Sequence, residues 1–208
     1  MHCFAHFSRF CAQKVGFMKK NIAILASGSG TNAENIIRYF LVRESVCVAL
    51  VLTNRRDAFV LERARVLGVP CCFFPKDEWE DGRAVLSVLE EYGIDFVVLA
   101  GFLARVPDVV LHAYPDRIIN IHPSLLPKFG GKGMYGNRVH EAVLAAGETE
   151  SGITIHYVNE RYDEGGVIRQ ARCPVLPGDT PEELACRIHA LEYKVYPEVI
   201  ERLLSEIG

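Results

Sequence analysis

From Asn21 onward, short β-branched runs alternate with stretches whose apolar residues recur at helical spacing. The runs NIAILA, VCVALVLT, VPCCFF and DFVVLA read as strands, and RIINIH reads as a fifth. Between them, residues Asn32 to Val42, Ala58 to Leu67 and Arg83 to Tyr92 carry the helical pattern, with Gly68 and Gly93 where helix C-caps belong. This alternation predicts an α/β fold: an open, mostly parallel twisted sheet with helices on both faces. Farther on, a helix is expected near Val139 to Ala146. SGITIHYVN and VIRQARCPV then read as two strands separated by RYDEGG, a hairpin-like excursion beside the sheet. The last helix should begin at Asp179 or Thr180, with Pro181 in its first turn and Glu182 and Glu183 near its positive end, and run to about Leu204. No repeat or linker interrupts the pattern, so one domain is expected over residues 18–208. Residues 1–17, MHCFAHFSRFCAQKVGF, lack acidic residues and carry a single Arg and no small-residue cleavage site. They read as a poorly ordered extension or an upstream start-site artefact rather than a targeting peptide.

Composition narrows the function classes. The 208 residues are 50% hydrophobic, enough for a substantial core, and the formal charge of −3 supplies no basic surplus for gripping a nucleic-acid backbone. No apolar stretch approaches the length of a membrane span. The seven cysteines are odd in number and include no CxxC pair, which suits reduced thiols in a cytoplasm and indicates neither a disulfide framework nor a zinc cluster. Cys71 and Cys72, inside VPCCFF, read as small buried hydrophobes.

Two segments carry candidate chemistry. In ILASGSGTNAENII, glycines between a strand and a helix let the backbone approach a ligand, and a helix N-terminus suits a phosphate; the plainer alternative is a tight turn capped by Thr31 or Asn32. Ala33 stands where a dinucleotide fingerprint needs glycine, and Thr53 and Asn54 stand where it needs an acid, so a nicotinamide cofactor is disfavoured. In INIHPSLLPKFGGKG, strand alternation sends Asn120 and His122 to one face. Either they merely tie a strand end to its loop, or they present two donors to one developing negative charge. If ligands bind beyond the carboxyl ends of the strands, the glycine loop, Gly101-Phe102, Asn120 to His122 and Asp163 would share a rim.

Together ASGSGTN, VVLAGFL, INIHPSLLP, HYVNERYDEG and LEYKVYP resemble the folate-dependent phosphoribosylglycinamide formyltransferases (glycinamide ribonucleotide transformylases), from about Asn21 to the C-terminus. The resemblance implies a Rossmann-like formyltransferase fold. It also implies transfer of the formyl group of 10-formyltetrahydrofolate to the glycyl amine of phosphoribosylglycinamide, in de novo purine (IMP) synthesis. It assigns catalysis to Asn120, His122 and Asp163: Asn120 and protonated His122 stabilise the carbonyl oxygen as it gains charge, and Asp163 holds His122 charged and helps move the proton. Gly30, Thr31 and Asn32 would contact phosphate or ribose. Glu192 would meet the glycinamide end, the alternative being an exposed helix carboxylate. The folate site would take Leu103, Val106 and Asn120 with the segment Asn159, Glu160, Arg161, Tyr162 and Asp163; the apolar members could equally be core. His156 either supports the site or is a satisfied strand histidine.

No metal is implied, since His122, His140, His156 and His189 lack ligand spacing. The expected partners are the two small molecules, without nucleic acid or membrane, in a cytoplasmic protein for which a homodimer stays open. Three departures stand out. GFLARVP carries its arginine one place late, at Arg105; KDEWEDGRAVL is short, which leaves Arg83 as the candidate for the folate tail; and FGGKGMYGNRVH forms a longer glycine-rich loop, expected as a mobile lid. A methionyl-tRNA formyltransferase would add a C-terminal β-rich domain and a formyltetrahydrofolate hydrolase a regulatory domain in front, and neither is expected here. A phosphate-binding module without catalysis would leave Asn120, His122 and Asp163 without a task.

Overall fold

The strands lie in one seven-stranded sheet, in the order β3-β2-β1-β4-β5-β6-β7. This computed structural model describes residues 19–207, so the extension read in residues 1–17 lies outside the described residues. In chain order the elements are β1 (Lys20–Leu25), α1 (Thr31–Leu41), β2 (Val46–Thr53), α2 (Val60–Val66), β3 (Cys71–Phe73), α3 (Lys76–Asp81), α4 (Arg83–Glu91), β4 (Phe96–Leu99), α5 (Asp108–Ala113), β5 (Ile118–His122), α6 (Asn137–Ala145), β6 (Glu150–Tyr157), β7 (Val167–Pro174) and α7 (Pro181–Glu206). The chain forms two compact units, one running to Ile118 and taking in the residues from Leu203, the other spanning Ile119–Arg202.

In the first unit β1 pairs in parallel with both β2 and β4, and β2 with β3. Ile22 to Leu25 and all of β4 are buried, which is why these strands read as continuous apolar runs rather than as alternation. α1 turns Ala33, Ile36, Ile37 and Phe40 inward. The predicted helices appear with ends shifted by one or two residues. Two helices escaped the pattern, α3 and α5. Each has only six residues, too few for a period to show, and each has a proline at the cap, Pro75 followed by Asp77 and Glu78 and Pro107 followed by Asp108. α3 matters to the segment after β4: buried Trp79 donates its indole N–H to the Arg105 carbonyl at 2.9 Å and packs on Phe102, ring centroids 4.7 Å apart.

The second unit is antiparallel. β6 pairs with β5 and with β7, so the expected excursion beside the sheet is instead a hairpin within it, its first strand hydrogen-bonded to β5. β6 is buried almost throughout, while β7, on the edge, is largely exposed. α7 starts with a capping box. Thr180 Oγ1 accepts the Glu183 N–H (3.2 Å), Glu183 Oε2 accepts the Thr180 N–H (2.8 Å), and Pro181 occupies the first helical position.

Candidate active site

The site grows from the register of β5 on β6. Asn120 lies opposite His156 and His122 opposite Thr154, so alternation gathers all four side chains on one face while Ile119, Ile121, Ile153 and Ile155 fill the other. His156 Nδ1 lies 2.8 Å from the Tyr157 carbonyl, which can only accept, so that nitrogen carries the proton. His156 Nε2 is then the acceptor for the Asn120 amide at 3.1 Å. One Asn120 N–H is thereby oriented, and the amide keeps a second N–H for another acceptor.

His122 is buried, 4% exposed, and its Nε2 donates to the Phe129 carbonyl at 2.8 Å. Nδ1 faces Asp163, 3.6 Å from Oδ2, while Asp163 Oδ1 is 3.6 Å from His156 Nε2. The carboxylate therefore stands between two imidazoles at ion-pair range, beyond direct hydrogen bonding. Its Oδ2 also accepts the Gly131 N–H at 2.8 Å. Asp163 reaches this place from a left-handed backbone (φ 57), on a turn that returns hard against β6. A Cβ at Gly165 would lie 1.7 Å from the Tyr157 carbonyl oxygen, so only glycine permits that return.

The electrostatics refine one expectation. Burial pushes the Asp163 carboxyl up, but His156, His122 and the Gly131 N–H together hold it below the usual carboxylate range, so it is ionised. Burial also pushes His122 down, outweighing the Asp163 charge and the Phe129 carbonyl that push it up. The ring thus gives up its proton more readily than a free imidazole, whereas the sequence reading has Asp163 holding it charged. In its neutral form the proton stays on Nε2, at the Phe129 carbonyl, and the lone pair is on Nδ1, on the Asp163 side.

The glycine loop lies in the first unit. Ser27 Oγ donates to Asn54 Oδ1 (2.8 Å) and accepts the Leu103 N–H (3.0 Å), and the Gly28 carbonyl accepts the Val60 N–H (3.2 Å). Gly30, not Thr31 or Asn32, is the N-cap of α1, with φ 73; a Cβ there would lie 2.5 Å from Val60. Among the described residues no side-chain hydrogen bond caps α1, and an uncapped helix start is the kind of place that suits an anion.

The remaining expected residues fall as follows. Glu192 is buried on α7, not an exposed helix carboxylate, and burial pushes its carboxyl up to about 7. Leu103 is about half exposed (47%), whereas Val106 belongs to the core of the first unit. Asn159 to Tyr162 form an exposed turn in which Asn159 Oδ1 accepts the Arg161 N–H (2.9 Å). Arg105 pairs with Asp108, and Arg83 with Asp81. The glycine-rich loop touches the site directly through Phe129 and Gly131, main-chain groups that leave no trace in a sequence. His140 on α6 is buried, its Nδ1 lacks a hydrogen-bond partner among the described residues, and burial, then His189 and His122, pushes it to about 4. Among the described residues no group of three or more His, Cys, Asp or Glu side chains could hold a metal ion, and no helix is long and apolar enough to cross a membrane.

Residues 20–200 match the formyl transferase family. The chain is 43% identical over 201 residues to a chloroplastic phosphoribosylglycinamide formyltransferase of Arabidopsis thaliana, an alignment covering 90% of this chain and 66% of that protein. The chain thus spans just under two thirds of that plant relative. It is 35% identical to the phosphoribosylglycinamide formyltransferase of Haemophilus influenzae, over 88% of this chain and 86% of the relative. The crystal structure of phosphoribosylglycinamide formyltransferase from Streptococcus pneumoniae superposes with a TM-score of 0.79 at 44% identity, covering 89% of this chain and 99% of that one.

Proposed function

The chain belongs to the formyl transferase family, and from that premise we propose that it moves the formyl group of 10-formyltetrahydrofolate to the glycyl amine of phosphoribosylglycinamide, in purine synthesis. The observation that carries this reading is the grouping of Asn120, His122, Asp163 and His156 on one strand pair and the turn beside it. The match across residues 20–200 supports treating 18–208 as one working domain. The formal charge of −3 favours free small molecules over nucleic acid, and we place the reaction in the cytoplasm.

The folate cosubstrate supplies an activated formyl carbon and a nitrogen leaving group. The chain's residues do the rest. Asn120, held by His156, directs its second N–H at the carbonyl oxygen as that oxygen gains charge. His122 takes the proton that the attacking amine loses, at Nδ1, becomes an imidazolium whose charge falls between the Asp163 carboxylate and the Phe129 carbonyl, and returns the proton to the folate nitrogen as its bond to the formyl carbon breaks. Asp163, already ionised, stabilises that cation without being protonated itself. Gly30, Thr31 and Asn32 offer the start of α1 to the phosphate, and Glu192, near neutral pKa, receives the glycinamide end. Leu103 and the turn Asn159 to Tyr162 offer apolar surface and main-chain acceptors to the folate.

The deciding experiment measures turnover of phosphoribosylglycinamide with 10-formyltetrahydrofolate beside formylation of methionyl-tRNA by the same preparation. Turnover of the small amine alone is expected. Formylation of tRNA, or folate binding without any turnover, would overturn the reading.

A further inference from the structure

One row of side chains crosses the second unit from the site to the sheet edge: His122 on β5, Thr154 on β6 and Gln170 on β7 are register partners in turn. Thr154 Oγ1 donates to the Ser124 carbonyl (2.6 Å) and accepts both the Leu126 N–H (3.0 Å) and Gln170 Nε2 (3.0 Å). Gln170 Nε2 sends its other hydrogen to the Leu126 carbonyl (2.9 Å). The hydroxyl has one hydrogen and two lone pairs and the amide nitrogen two hydrogens, so every one of these positions is used. Ser124 Oγ then donates to the Lys128 carbonyl (2.7 Å). The chain between His122 and Phe129 is thus held at Ser124, at both polar groups of Leu126, and at Lys128.

Packing alone does not do this. A cleft of about 260 Å³, lined by Leu126, Phe129, Ser151 and Gln170 among others, lies against the same segment, so part of it has no close-packed backing. The hydrogen bonds from Thr154 and Gln170 fall on this segment at Leu126, upstream of the Phe129 carbonyl.

We propose that Gln170 and Thr154 are positioning residues for His122: by fixing residues 124–129 they hold the Phe129 carbonyl on Nε2, which keeps the resting proton there and the lone pair on Nδ1, facing Asp163. Misplacing a catalytic group by about 1 Å lowers rates by as much as about 10²-fold, so the edge strand contributes to catalysis without touching a substrate. The catalytic half of this inference rests on the proposed role of His122; the tautomer half does not.

The test uses the full chain labelled with ¹⁵N-histidine. In the wild type, His122 should show the Nε2–H tautomer. Gln170→Met, a near-isosteric change on a half-buried edge position, and Thr154→Val should give a mixture of tautomers. They should also titrate at lower pH, because the lost carbonyl had favoured the charged ring. With both substrates, kcat should fall about 10- to 100-fold while KM stays within about threefold. Thr154→Ser, which keeps the hydroxyl, should restore both readouts. If Gln170→Met and Thr154→Val lower the melting temperature but leave the tautomer and kcat as in the wild type, the pair is merely structural and the proposal is wrong. If Thr154→Val does not fold, Gln170→Met set against Thr154→Ser decides the matter by the same criteria. A wild type without formyl transfer would sink the proposed function, and the tautomer measurement would still decide this inference.

Discussion

Asp163 is where the residue-scale chemistry is most exposed to test. Its carboxylate lies within 3.6 Å of both His122 and His156, whereas neighbouring Glu164 points outward and pairs with Arg161 at 3.3 Å. Asp163→Asn keeps the shape and removes the charge, so turnover should drop about 10²–10⁴-fold with little change in either dissociation constant, while Glu164→Gln should matter far less. Near-normal turnover of Asp163→Asn, or greater damage from Glu164→Gln, would mean that the wrong carboxylate has been assigned. The pH profile carries a second sign. Because the Asp163 charge raises His122, removing it lowers that pKa further. A base that must be neutral then works to lower pH, so the acid limb of kcat should move down in pH even as the plateau falls. A limb that moves up would place the proton elsewhere.

At the scale of elements, the glycine loop and the last helix make separable predictions. Gly30 adopts φ 73 against Val60, so Gly30→Val would damage the turn whatever it binds. Gly28 has open space around its Cβ position and no positive φ. Gly28→Ala should therefore leave the melting temperature nearly unchanged, yet weaken the phosphoribosyl substrate by about tenfold, roughly 1.4 kcal/mol, without weakening the folate. Equal losses for both ligands in a calorimetric titration would remove the loop from the phosphate site. Thr180→Ala opens the capping box of α7 and should destabilise the protein by about 1 kcal/mol, or about 2–4 °C in melting temperature, with kcat intact. Long elements were legible from period and punctuation, down to the Thr180-Pro181-Glu182-Glu183 start of α7. The six-residue helices α3 and α5 were not, because fewer than two turns cannot display a period.

Across the whole molecule, two buried groups oppose each other in the pH dependence of folding. Glu192, about 7 when folded against an ordinary 4.5, contributes stability that is full below 4.5 and is lost as pH rises through 7. His140, about 4 against an ordinary 6.5, contributes stability that is present above 6.5 and is lost as pH falls through 4. Between about 4.5 and 6.5 the two slopes cancel, so wild-type stability should be nearly flat there on their account. Glu192→Gln removes one of them. Its stability relative to the wild type should rise with pH from 4.5 through 7, by up to about 3 kcal/mol, in urea titrations at a series of pH values. A difference independent of pH would show that the carboxyl titrates normally. The sequence by itself determined the parallel apolar strands, the helices between them, the glycine loop, and the placing of Asn120 and His122 on one face, because each is set by local period or by the residues next to it. Asp163 could be given its catalytic role only through resemblance to a family. Only the tertiary structure decided that His156 orients Asn120, that Phe129 and Gly131 hold His122 and Asp163, and that Glu192 is buried. Strand register, main-chain hydrogen bonds and desolvation arise between residues distant along the chain, and no local pattern encodes them.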